Sequence, residues 1–193
     1  MIDSLVMVHK LIKTGDGSHS LFVEELNEHY HSVHGAIQES KHVFIEAGLK
    51  QISSSLPEEK QHKTISILEV GLGTGLNALL TILENKQLKM KLSYSALEAF
   101  PLKQEVTSHL NYIDLLTDQI HSKEELRFFF DAIHVSAWNQ KVEIIPEFNL
   151  NKILNSLQQV QFQDTYNLVY FDAFGPVVQP EMWSKDMFFK IYG

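Results

Sequence analysis

Residues 67–77 read ILEVGLGTGLN, an apolar run followed by three glycines that alternate with other residues, then the opening of a second apolar run. A strand that feeds a glycine turn and then a helix is the first unit of an α/β sheet, because the turn brings the helix back across the sheet face. Gly71, Gly73 and Gly75 keep side chains out of the space between that turn and anything lying in it. Such turns hold ligands at the carboxyl ends of the strands. What this one holds is decided by its neighbours.

The strand–helix alternation continues along the chain. TISILEV is followed by a helical pattern over 76–84, LSYSALE by one over 101–112, KVEII by one over 149–160, and YNLVYFD by one over 180–192. This order predicts a mostly parallel sheet flanked by helices, with strands apolar enough to be buried on both faces. Ahead of it, 5–12 and 20–23 read as two strands around KTGDGSH, where Asp16-Gly17 is a hairpin signal. A helix is expected from about His34 to Ile52, then a polar connector, SSSLPEEKQHK. The expected organisation is one domain over 1–193: an N-terminal hairpin and helix extension to residue 60, then a ligand-binding core from 61.

Composition narrows the chemistry. A chain of 193 residues, 44% hydrophobic, buries one good core. It has no apolar run of membrane-spanning length and no signal-peptide order at its start, so a cytoplasmic protein without a membrane partner is expected. With no cysteine, thiolate zinc sites, disulfides and cysteine nucleophiles are excluded. The formal charge of -8 argues against a nonspecific coat on nucleic acid, while leaving room for a local basic patch. His29, His31 and His34 crowd together with His19 and His42 nearby, yet they lack a helix-face pair with an adjacent acid, so no metal is expected.

The ligand question turns on three positions. A dinucleotide turn, G-x-G-x-x-G, wants a small residue where Leu76 stands. Glu69, just before the turn, is repelled by a pyrophosphate and attracted by a cation. Glu98, at the tip of the next strand, suits the two hydroxyls of a ribose, as an acidic residue does in nicotinamide enzymes too. Together Glu69, Gly71, Gly73, Gly75, Asn77 and Glu98 fit S-adenosylmethionine, a cationic ligand without phosphate.

The G-x-G-x-G turn and acidic second strand resemble the class I S-adenosylmethionine-dependent methyltransferases. LEAFPL (97–102), FDAFGPVVQPEMWSKDMF (171–188) and DGSHSLFVEELNEHYHSVHGA (16–36) narrow the resemblance to the methyltransferase portion of the MnmC family, including stand-alone MnmD-like members. The resemblance runs over nearly the whole chain. It implies a Rossmann-like fold, S-adenosylmethionine as cofactor, and methyl transfer to the 5-aminomethyl group of a wobble uridine or 2-thiouridine in tRNA.

The same resemblance gives residues roles. Asp172 is the candidate catalytic residue, orienting the amine, against the alternative of a strand-end carboxylate that caps a loop. Phe174 either stacks on the flipped uracil or covers the sheet edge. Tyr30 and His31 either shape the nucleoside pocket or belong to an ordinary polar loop. Trp183 is expected in the core. Because this fold contacts adenine after its third parallel strand, taken here as KVEII, Glu147 and Phe148 are the candidates for the adenine amino group and ring.

Two departures stand out. The oxidase half of the bifunctional enzymes has no counterpart, and the family continues past the position of Gly193 through a further helix and an antiparallel strand pair. A C-terminally incomplete domain with an open sheet edge, self-association through that edge and little transferase activity are the expectations. Three rivals remain: an aminopropyltransferase of the spermidine synthase type, a nicotinamide oxidoreductase, and a domain that binds cofactor or a protein partner without turnover.

Overall fold

The computed structural model describes residues 8–55 and 63–192; the start of the first expected strand, most of the polar connector and Gly193 lie outside them. Strands β1 (His9–Lys13) and β2 (His19–Val23) pair antiparallel, with His9 opposite Val23 and Lys13 opposite His19. The hairpin turn is built by Asp16, whose Oδ1 accepts from Thr14 Oγ1 at 2.8 Å and from Ser18 N at 2.9 Å. Its other oxygen accepts from Gln38 N at 2.9 Å and ties the turn to the first helix. A short β3 (Glu28–His29), not foreseen, adds to β2.

The helical run expected from His34 is there with an internal change of pitch: α1 (Ala36–Ser40), a π-helical stretch (Lys41–Leu49) and α2 (Lys50–Ser55). Within the wide stretch, Gly48 faces the Tyr170 ring, where an added Cβ would stand 3.2 Å away. Close helix–sheet approach at this point depends on the missing side chain.

The main sheet has the order β6-β7-β5-β4-β8, formed by β4 (Ile65–Val70), β5 (Leu92–Glu98), β6 (Lys141–Ile145), β7 (Phe148–Leu154) and β8 (Leu168–Phe171). β7, β5, β4 and β8 run parallel and β6 is antiparallel to β7. The α/β architecture and the mostly parallel sheet are as the sequence predicts. The assignment of two segments is not. KVEII is the antiparallel edge strand β6, and the third parallel strand is β7, which takes up the first half of the 149–160 stretch expected to be a helix. FNLNKIL buries alternate residues, Phe148, Leu150 and Lys152, which is the period of a strand. Glu147 closes the β6–β7 hairpin with φ +71.

Glu147 and Phe148 are thereby removed from the expected adenine site. Phe148 pairs with Leu92, the first residue of β5, and Glu147 O accepts from Leu92 N at 2.7 Å. Both lie at the amino edge of the sheet, a strand length from Glu98. The Phe148 ring is buried 5.6 Å from Tyr94 and serves the core.

Among the described residues, five further helices flank the sheet. α3 (Leu76–Leu88) follows the glycine turn. Of the helix expected over 101–112 only α4 (Gln104–Thr107) forms, and a separate α5 (Tyr112–Leu116) begins at its expected end; Asn111, between them, turns its side chain to the hairpin: Oδ1 accepts from His19 N at 2.7 Å and Nδ2 donates to Gly17 O at 3.0 Å. The crossover to β7 is made by α6 (Lys123–Val135), which buries Leu126, Phe129, Phe130 and Ile133 at helical spacing and is capped by Ser122 Oγ accepting from Glu125 N at 3.2 Å. Beyond β8, a 3-10 turn (Pro180–Trp183) led by Pro180 precedes α7 (Lys185–Tyr192).

The sheet is covered on both faces. One side holds the larger core, including Phe44, Leu49, Ile67, Leu79, Tyr94 and Tyr170; the other holds Leu68, Val70, Leu97, Leu157, Val160 and Met182. The cleft opens where β4, β5 and β8 end.

Candidate active site

The glycine turn is fixed by the strands on both sides of it. Gly71 N donates to Leu97 O at 2.9 Å, and Asp172 N donates to Val70 O at 3.0 Å. Gly71 has φ +93, and a Cβ there would run into the Asp172 carbonyl. Gly75, φ +74, stands at the N-cap of α3, with an added Cβ 3.1 Å from His134 Nε2. Both positions require glycine for backbone conformation and for close packing. Gly73 lies under the Tyr30 ring.

Glu98 sits at the tip of β5 as expected. Its Oε2 accepts from Gly73 N at 3.0 Å and its Oε1 from Phe100 N at 2.8 Å, so the carboxylate is held across the turn and keeps lone pairs for further donors. Glu69 is fully buried at the end of β4. Asn77 and Tyr94 lie beside it and hold its pKa down somewhat, yet neither meets its oxygens with full hydrogen-bond geometry. Loss of water, reinforced by the nearby Asp172, pushes the Glu69 carboxyl well above its ordinary range. A buried carboxyl with free acceptors below an open turn suits a cationic ligand, and the bare glycine cradle leaves room for one.

Asp172 follows β8 and faces the same space. Its Oδ2 accepts from Asn77 Nδ2 at 2.8 Å. Removal from water outweighs that bond and, with Glu39 adding repulsion, pushes the carboxyl up to about 7. The structure therefore brings Glu69, the glycines, Asn77, Glu98 and Asp172 to one place.

The N-terminal sheet roofs the turn. The Tyr30 hydroxyl meets His9 Nε2 at 3.3 Å, and its ring meets Phe174 edge-on at 5.2 Å between centroids. His31 lies deeper: Nδ1 meets Ser20 Oγ at 3.2 Å and Nε2 meets Thr74 Oγ1 at 3.3 Å. Burial lowers its pKa to about 4, so it is a neutral brace for the glycine turn. Trp183, expected in the core, is 39% exposed; its Nε1 donates to Phe174 O at 2.8 Å and fixes the loop that carries Phe174.

Three cleft residues escape the sequence reading: His134, Trp138 and Lys152. They line a small cavity of about 50 Å³ with Leu72, Gly73 and Glu98. His134 Nε2 stands 3.2 Å from Thr74 O, and burial holds this imidazole at about 4 as well. Lys152 Nζ donates to His134 O at 2.7 Å and lies 4.6 Å from the Trp138 ring centroid. The signal that finds Lys152 is the period-two pattern of FNLNKIL, which puts it on the face of Phe148 and Leu150. Among the described residues, no cluster of three His, Asp or Glu is placed to hold a metal ion, and no helix is long and apolar enough to cross a membrane.

Residues 119–193 match the family described as S-adenosyl-L-methionine-dependent methyltransferase. The chain is 29% identical over 191 residues to the tRNA 5-methylaminomethyl-2-thiouridine biosynthesis bifunctional protein MnmC of Campylobacter fetus subsp. fetus, covering 92% of this chain and 27% of that protein. It is 32% identical over 168 residues to the protein of the same name from Idiomarina loihiensis, covering 82% of this chain and 27% of that protein. The chain thus spans about a quarter of these relatives' length. In fold it is similar to MNMC2 from Aquifex aeolicus, with a TM-score of 0.73 at 24% identity over 98% of this chain and 57% of that one. The resemblance carried by the glycine turn and the Asp172–Trp183 stretch is borne out: over most of its length the chain is similar to the MnmC proteins, and its residues 119–193 match the S-adenosyl-L-methionine-dependent methyltransferase family.

Proposed function

We propose that the chain methylates the 5-aminomethyl nitrogen of a wobble uridine or 2-thiouridine in tRNA. The observation that carries this reading is Asp172, a cleft carboxyl raised to about 7 and hydrogen-bonded to Asn77. The names of the MnmC relatives supply the substrate class.

A primary amine resembling lysine has a pKa of about 10 and arrives as an ammonium without a lone pair. An ordinary aspartate, near 4, would accept its proton against a gap of roughly six units. With Asp172 near 7 the gap falls to roughly three, about 4 kcal/mol, and it narrows further as the ammonium loses water in the cleft. The bound cofactor supplies an electrophilic methyl carbon on a sulfonium leaving group. The Asp172 carboxylate would take one proton from the ammonium and leave the nitrogen lone pair free to accept the methyl group that the cofactor would supply. Phe174 and Tyr30, edge to face at the mouth, offer apolar surface to the base. Glu98 and the glycine turn would hold the ribose side of the cofactor, and Glu69 with Asn77 its cationic side.

The test is incubation of the chain with S-adenosylmethionine and tRNA that carries the aminomethyl group, followed by nucleoside mass spectrometry. Gain of one methyl on the modified uridine is expected. Transfer to another nucleoside, or to a polyamine, would replace this substrate.

A further inference from the structure

Lys152 is a charged side chain only 1% exposed. It enters the sheet core from β7, opposite Ala96 of β5, two residues before Glu98. Burying an ammonium is costly unless its donors are used. Yet among the described residues Nζ meets only neutral groups, the His134 carbonyl and the face of Trp138. One of three N–H donors is thereby satisfied. The nearest cleft carboxylate, Glu98, is already bound by Gly73 N and Phe100 N.

The His134 carbonyl belongs to the last turn of α6, so Lys152 also ties down a helix C-terminus. That role does not call for a place in the cleft. Lys152 and Glu98 line the same small cavity, with Pro101 and Leu102 as an outer wall. At about 50 Å³ the cavity is smaller than a purine, so a base there would also need the space that Pro101 and Leu102 now border. A ribose held by Glu98 would place its base beside this cavity, where Lys152 is a fixed donor.

We infer that Lys152 is a specificity-determining residue of the cofactor site, donating from Nζ to an acceptor nitrogen of the purine ring. This rests on the methyltransferase reading above and adds the group that selects the base. Adenine presents N1, N3 and N7 as acceptors; a base carrying hydrogen at the contacted position opposes one donor with another. Burial lowers the lysine to about 8, which leaves it charged at neutral pH.

The experiment is calorimetric titration of the full chain, wild type and Lys152→Met, with S-adenosylhomocysteine and its 1-deaza, 3-deaza and 7-deaza analogues. One deaza analogue is expected to bind wild type about tenfold or more weaker than the parent, the range for a hydrogen bond to a charged group. Lys152→Met should weaken the parent by a similar factor and abolish the penalty for that analogue. The inference is overturned if all three analogues bind wild type as the parent does, or if the penalty survives in Lys152→Met. Should Lys152→Met fail to fold, the deaza series on wild type still decides. If S-adenosylhomocysteine itself does not bind wild type, the cofactor reading fails and this inference with it.

Discussion

Asp172 and Glu69 are carboxyls taken out of water side by side, and both are shifted in the same direction. A carboxyl raised by folding stabilises the fold below its unfolded pKa, and this contribution is lost as pH rises through the folded value. For Asp172 the window runs from 3.8 to about 7, so at pH 8 the fold carries an ionised, poorly solvated group. Asp172→Asn should therefore raise the melting temperature at pH 8 and change it little at pH 5, while methyl transfer falls by on the order of a hundredfold or more. Thermal melts at the two pH values and single-turnover assays check both halves; an Asn variant less stable at pH 8 would show that ionised Asp172 is a stabilising group. Glu98→Ala should weaken S-adenosylhomocysteine binding by about 1.5–3 kcal/mol, since charged acceptors are lost from the cleft. Calorimetry reads this directly, and an unchanged affinity would remove Glu98 from the cofactor site. The positions of Glu69, Asp172 and Glu98 were legible because each ends an apolar strand run, where period and polarity change together. His134 and Lys152 were not, since their placement depends on α6 and β7 meeting the glycine turn from distant parts of the chain.

Two elements grip the glycine turn from opposite sides. The N-terminal sheet reaches Thr74 through His31, and α6 reaches the same residue through His134. Both imidazoles are lowered by burial from 6.5 to about 4. A base depressed in the fold contributes stability above its unfolded pKa, lost as pH falls through the folded value, so acid between pH 6.5 and 4 should loosen both grips. Each accounts for up to about 3 kcal/mol over that window. The carboxyls in the cleft work against this trend, so the informative quantity is the slope change in a variant. His134→Gln is expected to flatten the dependence of unfolding free energy on pH, measured by urea titration from pH 7 to 4; an unaltered slope would mean that this imidazole is protonated alike in folded and unfolded chains. The hairpin, β4, α3, β5 and β8 were legible because Asp16-Gly17, the glycine turn and long apolar runs are local signals. The β6–β7 hairpin was not: KVEII and FNLNKIL are joined by Pro146-Glu147, which carries no glycine, and Glu147 takes the left-handed conformation usually left to glycine. With KVEII read as the third parallel strand, the adenine contact was drawn to Glu147 and Phe148 and the crossover helix α6 went unassigned.

At the scale of the whole molecule, an edge strand and a net charge set what the surface can meet. β8 pairs with β4 on one side, and among the described residues no strand pairs with its other side. Beside it α7 exposes Phe189 and Tyr192, at 71% and 77%. Unpaired backbone next to exposed aromatics favours association, so light scattering should show concentration-dependent dimers of this 193-residue chain. A monomer at every concentration would show that the edge is protected.

Charge bears on the tRNA reading. Each phosphate contact on a single strand steepens the fall of binding with salt by about 0.7 in the log–log slope, and nonspecific affinity comes almost wholly from that term. With 24 acidic against 16 basic side chains, the chain has no surplus of positive charge with which to track a long stretch of phosphate backbone, and phosphate contacts would be confined to a local basic patch. On the proposed reading, recognition would be concentrated on the aminomethyl base, through Asp172 at the nitrogen and Phe174 with Tyr30 at the ring, with few phosphates touched. Filter binding of tRNA across salt should give a log–log slope of about -3 or shallower. Affinity should drop when the aminomethyl group is absent, at every salt concentration. A slope near -7, with no preference for the aminomethyl base, would mean that the backbone is what the protein reads and that the cleft is not where tRNA is recognised.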